Sequence, residues 1–464
     1  MVESLTLEGE RAGLAPAALE SLRGRLAGAL ILTGDAGYDA ARRVWNGNID
    51  RRPALVVHCA GPADVQAAVD FAGAHGLLLS VRGGGHSAPG YGVNDGGMVL
   101  DLRLMKTIAV DPAARTARVG GGALWREFDA AAQAHGLATV GGTVSNTGVG
   151  GLTLGGGIGW LSGLHGTTAD NLISAEVVTA DGRLRTASET SEPELFWALR
   201  GGGGNFGVVT RFEFRLHPVG QVLGGMVIYP LDQAADVLRL YRDVCPTLPD
   251  AAEANAALLT GPGGAPVAAL LLGYNGPIEE GERVLGPLRA FGRPLADLVR
   301  PMSYGERQVL LDEPNATHGL HRYWRSAFSE TLSDALIDRL VAGAAHFSSP
   351  LNAFLMFYFH GAATRPPASA LAFSARRAQW DIDAIGCWTD PDESAGHIAG
   401  IRALWDRLDP HLAGSVYANH IADDDRPEKV RASYGENHAR LRRLKAVYDP
   451  GNLFRVNANI LPEA

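Results

Sequence analysis

Glycine is crowded into one half of this chain, in runs at 83–97, 120–122, 141–166 and 201–207. It supplies 59 of 464 residues, roughly 13% against a usual ~7%. The runs have no fixed period, so collagen-like and low-complexity readings fail. What remains is a fold in which several stretches of backbone approach something closely. The centre is Val81-Arg82-Gly83-Gly84-Gly85-His86-Ser87, a bend of bare backbone whose N–H groups can turn toward an anion. Leu77 to Val81 reads as a short buried strand before it, and Val99 to Leu102 as another after it. A glycine loop between strands, closed by one imidazole, suits a phosphate-bearing cofactor, although the same pattern also makes ordinary turns.

The length calls for two large domains or three small ones. A formal charge of −9 with no long basic run argues against nucleic acid as a partner. Cys59, Cys245 and Cys387 are far apart and odd in number, which fits buried reduced thiols better than a disulfide framework or a metal site. No run of 18 uncharged apolar residues is present, so no membrane span is expected. The acidic first residues lack the apolar core of a secretory signal, and a cytoplasmic location is expected.

In chain order, residues 1–35 read as a peripheral helical region. Leu55 to His58, the helix Pro62 to Ala72 and the strand 77–81 form a βαβ unit that delivers the chain to His86. A helix follows from Leu124 to His135, and a hairpin arm from Ala175 turns at Asp181-Gly182. Gly202-x-Gly204-x-x-Gly207 matches the dinucleotide fingerprint literally, but the helix (Pro193 to Arg200) precedes it and the strand (Val208 to Phe214) follows, the reverse of what a Rossmann unit needs. Beyond Pro218 glycine thins out. Strands at Gly225 to Tyr229, Ala268 to Gly273, Phe354 to Phe359 and Ile382 to Cys387 alternate with helices at Gln233 to Val244, Ile278 to Phe291, Leu332 to Ala344 and Gly396 to Leu408. This predicts a second α+β unit, one sheet with helices over one face.

Together these pieces resemble the berberine-bridge-enzyme-like flavoproteins of the vanillyl-alcohol-oxidase and p-cresol-methylhydroxylase superfamily. The motifs that carry the resemblance are Arg82 to Ser87, Gly148 to Trp160, Asp170-Asn171, Gly204 to Thr210 and the tail 448–462. It implies a two-domain α+β flavoprotein: an FAD-binding domain from 1–218 completed by a C-terminal segment at 415–464, and a substrate domain at 219–414. It implies FAD held by Arg82, Gly83, Gly84, Gly85, Ser87, Gly142, Thr143, Val144, Gly148, Gly151, Gly156, Gly157, Gly159, Asn171, Val178, Gly207 and Asn457, with His86 joined to the flavin 8α-methyl carbon. Relatives often carry a second link from a cysteine. Val144 stands at that position, so a single covalent link through His86 is expected.

The activity implied is oxidation of an alcohol, hemiacetal or amine by hydride transfer to the flavin, with dioxygen as acceptor and no metal. A dehydrogenase, an internal-redox isomerase and a non-catalytic flavin-binding protein are the alternatives. Two sets could supply the base. Tyr417 and Asn419 match the family's Tyr-x-Asn motif and, if the segment is a strand, share a face; a Tyr of lowered pKa would serve. Asp381 and Asp383 also share a strand face, and one of them would have a raised pKa if both are buried. His360 is a weaker candidate, and His135 and His165 read as structural. Thr147 stands where oxygen would reach the flavin. Tyr323, Trp324, Phe357, Tyr358 and Phe359 suit either an apolar pocket or the core, with the core preferred. Oligomeric state does not follow from the sequence.

Overall fold

A computed structural model describes residues 2–422, 424–425 and 427–463. Two sheets build the glycine-rich half. In the first, Ala29–Leu32, Leu55–His58, Met98–Asp101 and Leu79–Arg82 lie side by side in that order. Met98–Asp101 runs parallel to both of its neighbours, with helix Pro62–Ala74 as a crossover. Val65, Ala68, Val69 and Ala72 recur at helical spacing and pack this helix onto the sheet. The second sheet is antiparallel, in the order Leu184–Ser188, Leu172–Val178, Val208–Arg215, Thr116–Gly120 and Ile108–Asp111. The C-terminal helix Asn437–Tyr448 returns to it, seating Leu441 and Leu444 beside Phe196, Phe206 and Phe212.

The N-terminal 35 residues correct the helical expectation. Val2–Leu5 and Arg11–Leu14 pair as an antiparallel hairpin, helix Pro16–Arg25 follows, and Ala29–Leu32 joins the first sheet. Only Leu19 and Leu22 of that helix are buried, so its helical pattern says nothing about the strands flanking it.

The second half is an eight-stranded antiparallel sheet. Its period-two alternation sorts side chains cleanly. Ala254, Ala256, Leu258, Leu270, Leu272, Phe354, Met356, Ile382 and Ala384 face helices Ala234–Val244, Ile278–Arg289, Asp334–Ala344 and Ser394–Leu408. Ala257, Ala269, Leu271, Leu355 and Ile385 face the other way, toward Val140, Trp160 and Leu161 of the glycine-rich half. Parity therefore sends Asp381 and Asp383, on strand Gln379–Trp388, to the face that meets the first half. All three cysteines are free and buried. Among the described residues no helix is long and apolar enough to cross a membrane.

Candidate active site

Between the two halves lies a cavity of about 350 Å³, walled by the glycine loops on one side and by the large sheet on the other. Arg82, Gly83, Gly84, Gly85, His86, Ser87, Thr143, Val144, Thr147, Gly148, Gly151, Gly207, Asn457, Asp381, Tyr417 and Asn419 line it. Gly142, Gly156, Gly157, Asn171, Val178 and Asp383 do not. Gly159 and His360 line a small side chamber that shares Thr143, Phe357 and Asp381 with the main cavity.

The glycines matter because two loops touch. A Cβ on Gly148 would meet the Gly84 Cα at 2.8 Å, and a Cβ on Gly84 would meet Gly148 Cα and N at 2.6 Å. Any side chain there separates the two walls. At Gly151 nothing lies within 4 Å of a built Cβ. Gly148→Ala should therefore cost about 1–3 kcal/mol by overpacking, read as a lower unfolding midpoint of the flavin-free protein, and Gly151→Ala should leave that midpoint unchanged.

His86 is held as a nucleophile would be. Asn146 Nδ2 donates to the Ala316 carbonyl at 2.6 Å, which fixes the amide with Oδ1 toward His86. The contact of 2.8 Å from Oδ1 to His86 Nε2 then requires the proton on Nε2, leaving a lone pair on Nδ1. Burial pushes the imidazole down to about 3, so it stays neutral. Trp45 stacks on the ring at 4.1 Å, and the buried Arg322 guanidinium covers Trp45 at 3.9 Å. Trp45, Asn146 and Arg322 carry no motif in the sequence and escaped it.

Arg82 lines the cavity, yet its charge is directed elsewhere. Its guanidinium bonds Asp101 through Nε at 3.1 Å and through Nη2, with Nη1 on the Arg43 carbonyl and Nη2 on that of Ala41. This corrects the expectation that its side chain binds the cofactor. Asn171 is likewise structural: its Nδ2 donates to the His165 and Thr167 carbonyls, and its Oδ1 meets His217 Nε2 at 2.7 Å. Val178 is packed in the core of the first sheet. Gly157 acts by its N–H, which donates to the Tyr417 hydroxyl at 2.9 Å.

Two expectations about Tyr417 change. Ala418–His420 is a 3₁₀ turn, not a strand; Tyr417 and Asn419 still meet, because Asn419 Nδ2 donates to the Tyr417 oxygen at 2.7 Å. Burial raises the pKa of Tyr417, despite the donors Asn419 and Gly157. With its oxygen accepting two hydrogen bonds, Tyr417 keeps its own proton as a donor. It is a poor base.

The carboxylates fare differently. Asp381 accepts from Ser326 Oγ at 2.9 Å, and Asp383 accepts from Trp324 Nε1 at 2.9 Å. Burial and then the charge of Asp383 raise Asp381. His420 Nδ1 lies 3.2 Å from Asp381 and 3.1 Å from Asp383. Among the described residues these three form the one group of acids and imidazoles close enough to share a cation, and the imidazole already sits at ion-pair distance from both carboxylates. In the side chamber Glu253, pushed up to about 8 by burial, accepts from the Gly163 N–H at 3.3 Å. His420 and Glu253 were missed in the sequence. Alternation also splits the aromatic cluster: Trp324 and Phe357 line the cavity, while Tyr323 and Tyr358 pack under the helices.

The cavity fits a flavin dinucleotide. Its loops offer bare backbone N–H groups, and the Oδ1 atom of Asn457 in its wall is buried without a partner. A family model described as an FAD binding domain matches residues 53–188, and one described as berberine and berberine like matches 416–461. The chain is 31% identical to (R)-6-hydroxynicotine oxidase of Paenarthrobacter nicotinovorans over 455 residues, 94% of this chain and 97% of that one. The crystal structure of 6-hydroxy-D-nicotine oxidase from Arthrobacter nicotinovorans superposes with a TM-score of 0.87 at 30% identity, covering 97% of this chain and 100% of that one. A chitooligosaccharide oxidase shares the fold, with a TM-score of 0.83 at 24% identity over 96% of this chain and all of its own.

Proposed function

This chain belongs to the berberine-type FAD-linked oxidoreductases, and on that premise we propose that it oxidises a small alcohol, hemiacetal or amine with dioxygen as acceptor. The observation that carries the reading is Asp381, a buried carboxylate of raised pKa on the cavity wall opposite the glycine loops. The oxidase names of the relatives support it.

Bound FAD would be held by Gly83 to Ser87, Thr143, Val144, Gly148, Gly151, Gly207 and Asn457, and joined to the protein through His86 Nδ1 alone, since Val144 offers no sulfur. When bound, the flavin would supply the redox chemistry, as acceptor of the substrate hydride and donor of both electrons to dioxygen, with hydrogen peroxide as the by-product. The protein's own residues handle the proton and the geometry. Asp381 takes the O–H or N–H proton as the carbon becomes a carbonyl or imine, and its raised pKa brings it nearer the range in which a base works best. Tyr417 keeps its proton and donates a hydrogen bond to the substrate heteroatom. Trp324 and Phe357 exclude water and give the pocket an apolar side.

The test is a panel of small alcohols, aldoses and heterocyclic amines mixed anaerobically with the flavin-loaded protein. Bleaching of the flavin absorbance by one class, then recovery in air with one peroxide per turnover, is the expected result. Bleaching that air does not reverse points to a dehydrogenase. No bleaching by any class overturns the reading.

A further inference from the structure

Two carboxylates two residues apart on one strand face, both buried, repel each other and resist joint ionisation. Asp381 and Asp383 are in that position, and something must hold the pair together. We propose that His420 is the positioning residue of this site, its Nδ1 edge closing on both carboxylates and its Nε2 edge presenting a hydrogen-bond donor to the substrate's heteroatom. The inference rests on the oxidase reading and adds to it a residue and a substrate requirement: a neutral or anionic oxygen or nitrogen that can accept a hydrogen bond next to the carbon that reacts.

The ring's placement carries the argument. Its Nδ1 atom is buried and lies at ion-pair distance from both acids, 3.2 Å from Asp381 and 3.1 Å from Asp383, without hydrogen-bond geometry to either, whereas His420 as a residue lines the cavity, so the edge away from the acids is the one left to the substrate. The ring is held from two sides, by the Trp324 indole at 5.0 Å and by the Tyr417 ring, edge-on, at 4.9 Å. Trp324 also donates to Asp383, so one side chain orients both the imidazole and its partner. The chain beyond His420 is pinned as well. Tyr323 and Arg325 bond Asp424 at 2.6 and 2.8 Å, and Arg402 reaches it at 2.8 Å.

Each element packed around His420 contributes to its charge environment. Strand Gln379–Trp388 brings Asp381 and Asp383 to it. Strand His321–Ser329 brings Trp324, with Ser326 on Asp381 and Arg325 turned outward to Asp424 and Asp425. Its own turn brings Tyr417. Lys429, from helix Pro427–Tyr434, is held by Asp425 and the Ser326 carbonyl. Asp381 and Asp383 are therefore the two charges the imidazole meets directly. Burial pulls His420 down, but these two charges outweigh it and raise it to about 10. The ring is an imidazolium at neutral pH, and its charge favours the ionised form of Asp381.

The flavin-loaded wild type and His420→Gln are compared in two ways. Without substrate, NMR of nitrogen-labelled histidine should find the His420 ring doubly protonated at neutral pH, and infrared titration should find the carboxyl band of Asp381 leaving about one pH unit higher in the variant. With a substrate that bleaches the wild type, the acid limb of flavin reduction should move up by the same amount, slowing reduction about tenfold on that limb. A neutral wild-type ring, or identical infrared midpoints and rate profiles in both proteins, overturns the proposal; the NMR result needs no variant to fold. Should the ring and infrared results hold while no substrate reduces the flavin, His420 keeps its place and the oxidase reading falls.

Discussion

Asp381→Asn slows substrate-driven reduction of the flavin by about 10²–10⁴-fold, the usual contribution of a positioned base. The amide fills the same space, and its oxygen can still accept from Ser326 Oγ, which lies 2.9 Å from the native Oδ1. What it cannot do is take a proton. Flavin binding stays as it was, because Asp381 stands across the cavity from the glycine loops. The pH dependence gives a second reading. Burial and the neighbouring Asp383 raise the pKa of Asp381, so wild-type reduction speeds up as pH rises through a value above the ordinary carboxylate range, and the variant loses that limb. Anaerobic stopped-flow reduction across pH measures both. A rate within about twofold of wild type would move the base elsewhere.

The second large effect is on stability. Arg82→Leu should lower the unfolding free energy by about 3–5 kcal/mol, the cost of stranding a buried charge, out of a typical total of ~5–15 kcal/mol. Arg82 is 3% exposed and Asp101 is fully buried. Removing the guanidinium leaves Asp101 with the partly exposed Arg103, at 2.7 Å, as its one remaining arginine, and strips the Ala41 carbonyl of a buried donor. The loss should appear equally in flavin-free and flavin-loaded protein, because the guanidinium points into the sheet. Urea unfolding of both forms checks this. A loss seen only in the loaded form would return Arg82 to cofactor binding.

The contrast between Arg82 and His86 shows what the sequence could carry. The glycine runs placed the loops, because only bare backbone permits the Gly84–Gly148 approach, and strand parity was enough to put Asp381 and Asp383 on one face. The motif could not say where a long side chain four residues from His86 would turn; that depended on Asp101 and on the carbonyls of Ala41 and Arg43, about forty residues upstream. His420 was hidden by a mistaken local conformation. Read as a strand, Tyr417-Ala418-Asn419 pairs 417 with 419, whereas a 3₁₀ turn brings i and i+3 to one side and so sets 420 against 417. Glu253 and Trp45 are solitary residues whose partners lie far along the chain, and no spacing announces them. The opening hairpin was lost for a simpler reason: four-residue strands carry too few alternations to stand out beside a helix.

One measurement bears most directly on the account as a whole. The purified protein is precipitated with acid and the pellet digested for peptide mass mapping, with His86→Ala carried alongside. Wild type should give yellow colour in the pellet, a flavin mass on the peptide containing His86 and an unmodified Val144, and the variant should release its colour to the supernatant. Wild-type flavin released entirely to the supernatant would contradict the attachment through His86, and a protein that neither carries nor takes up flavin would contradict the function built on it.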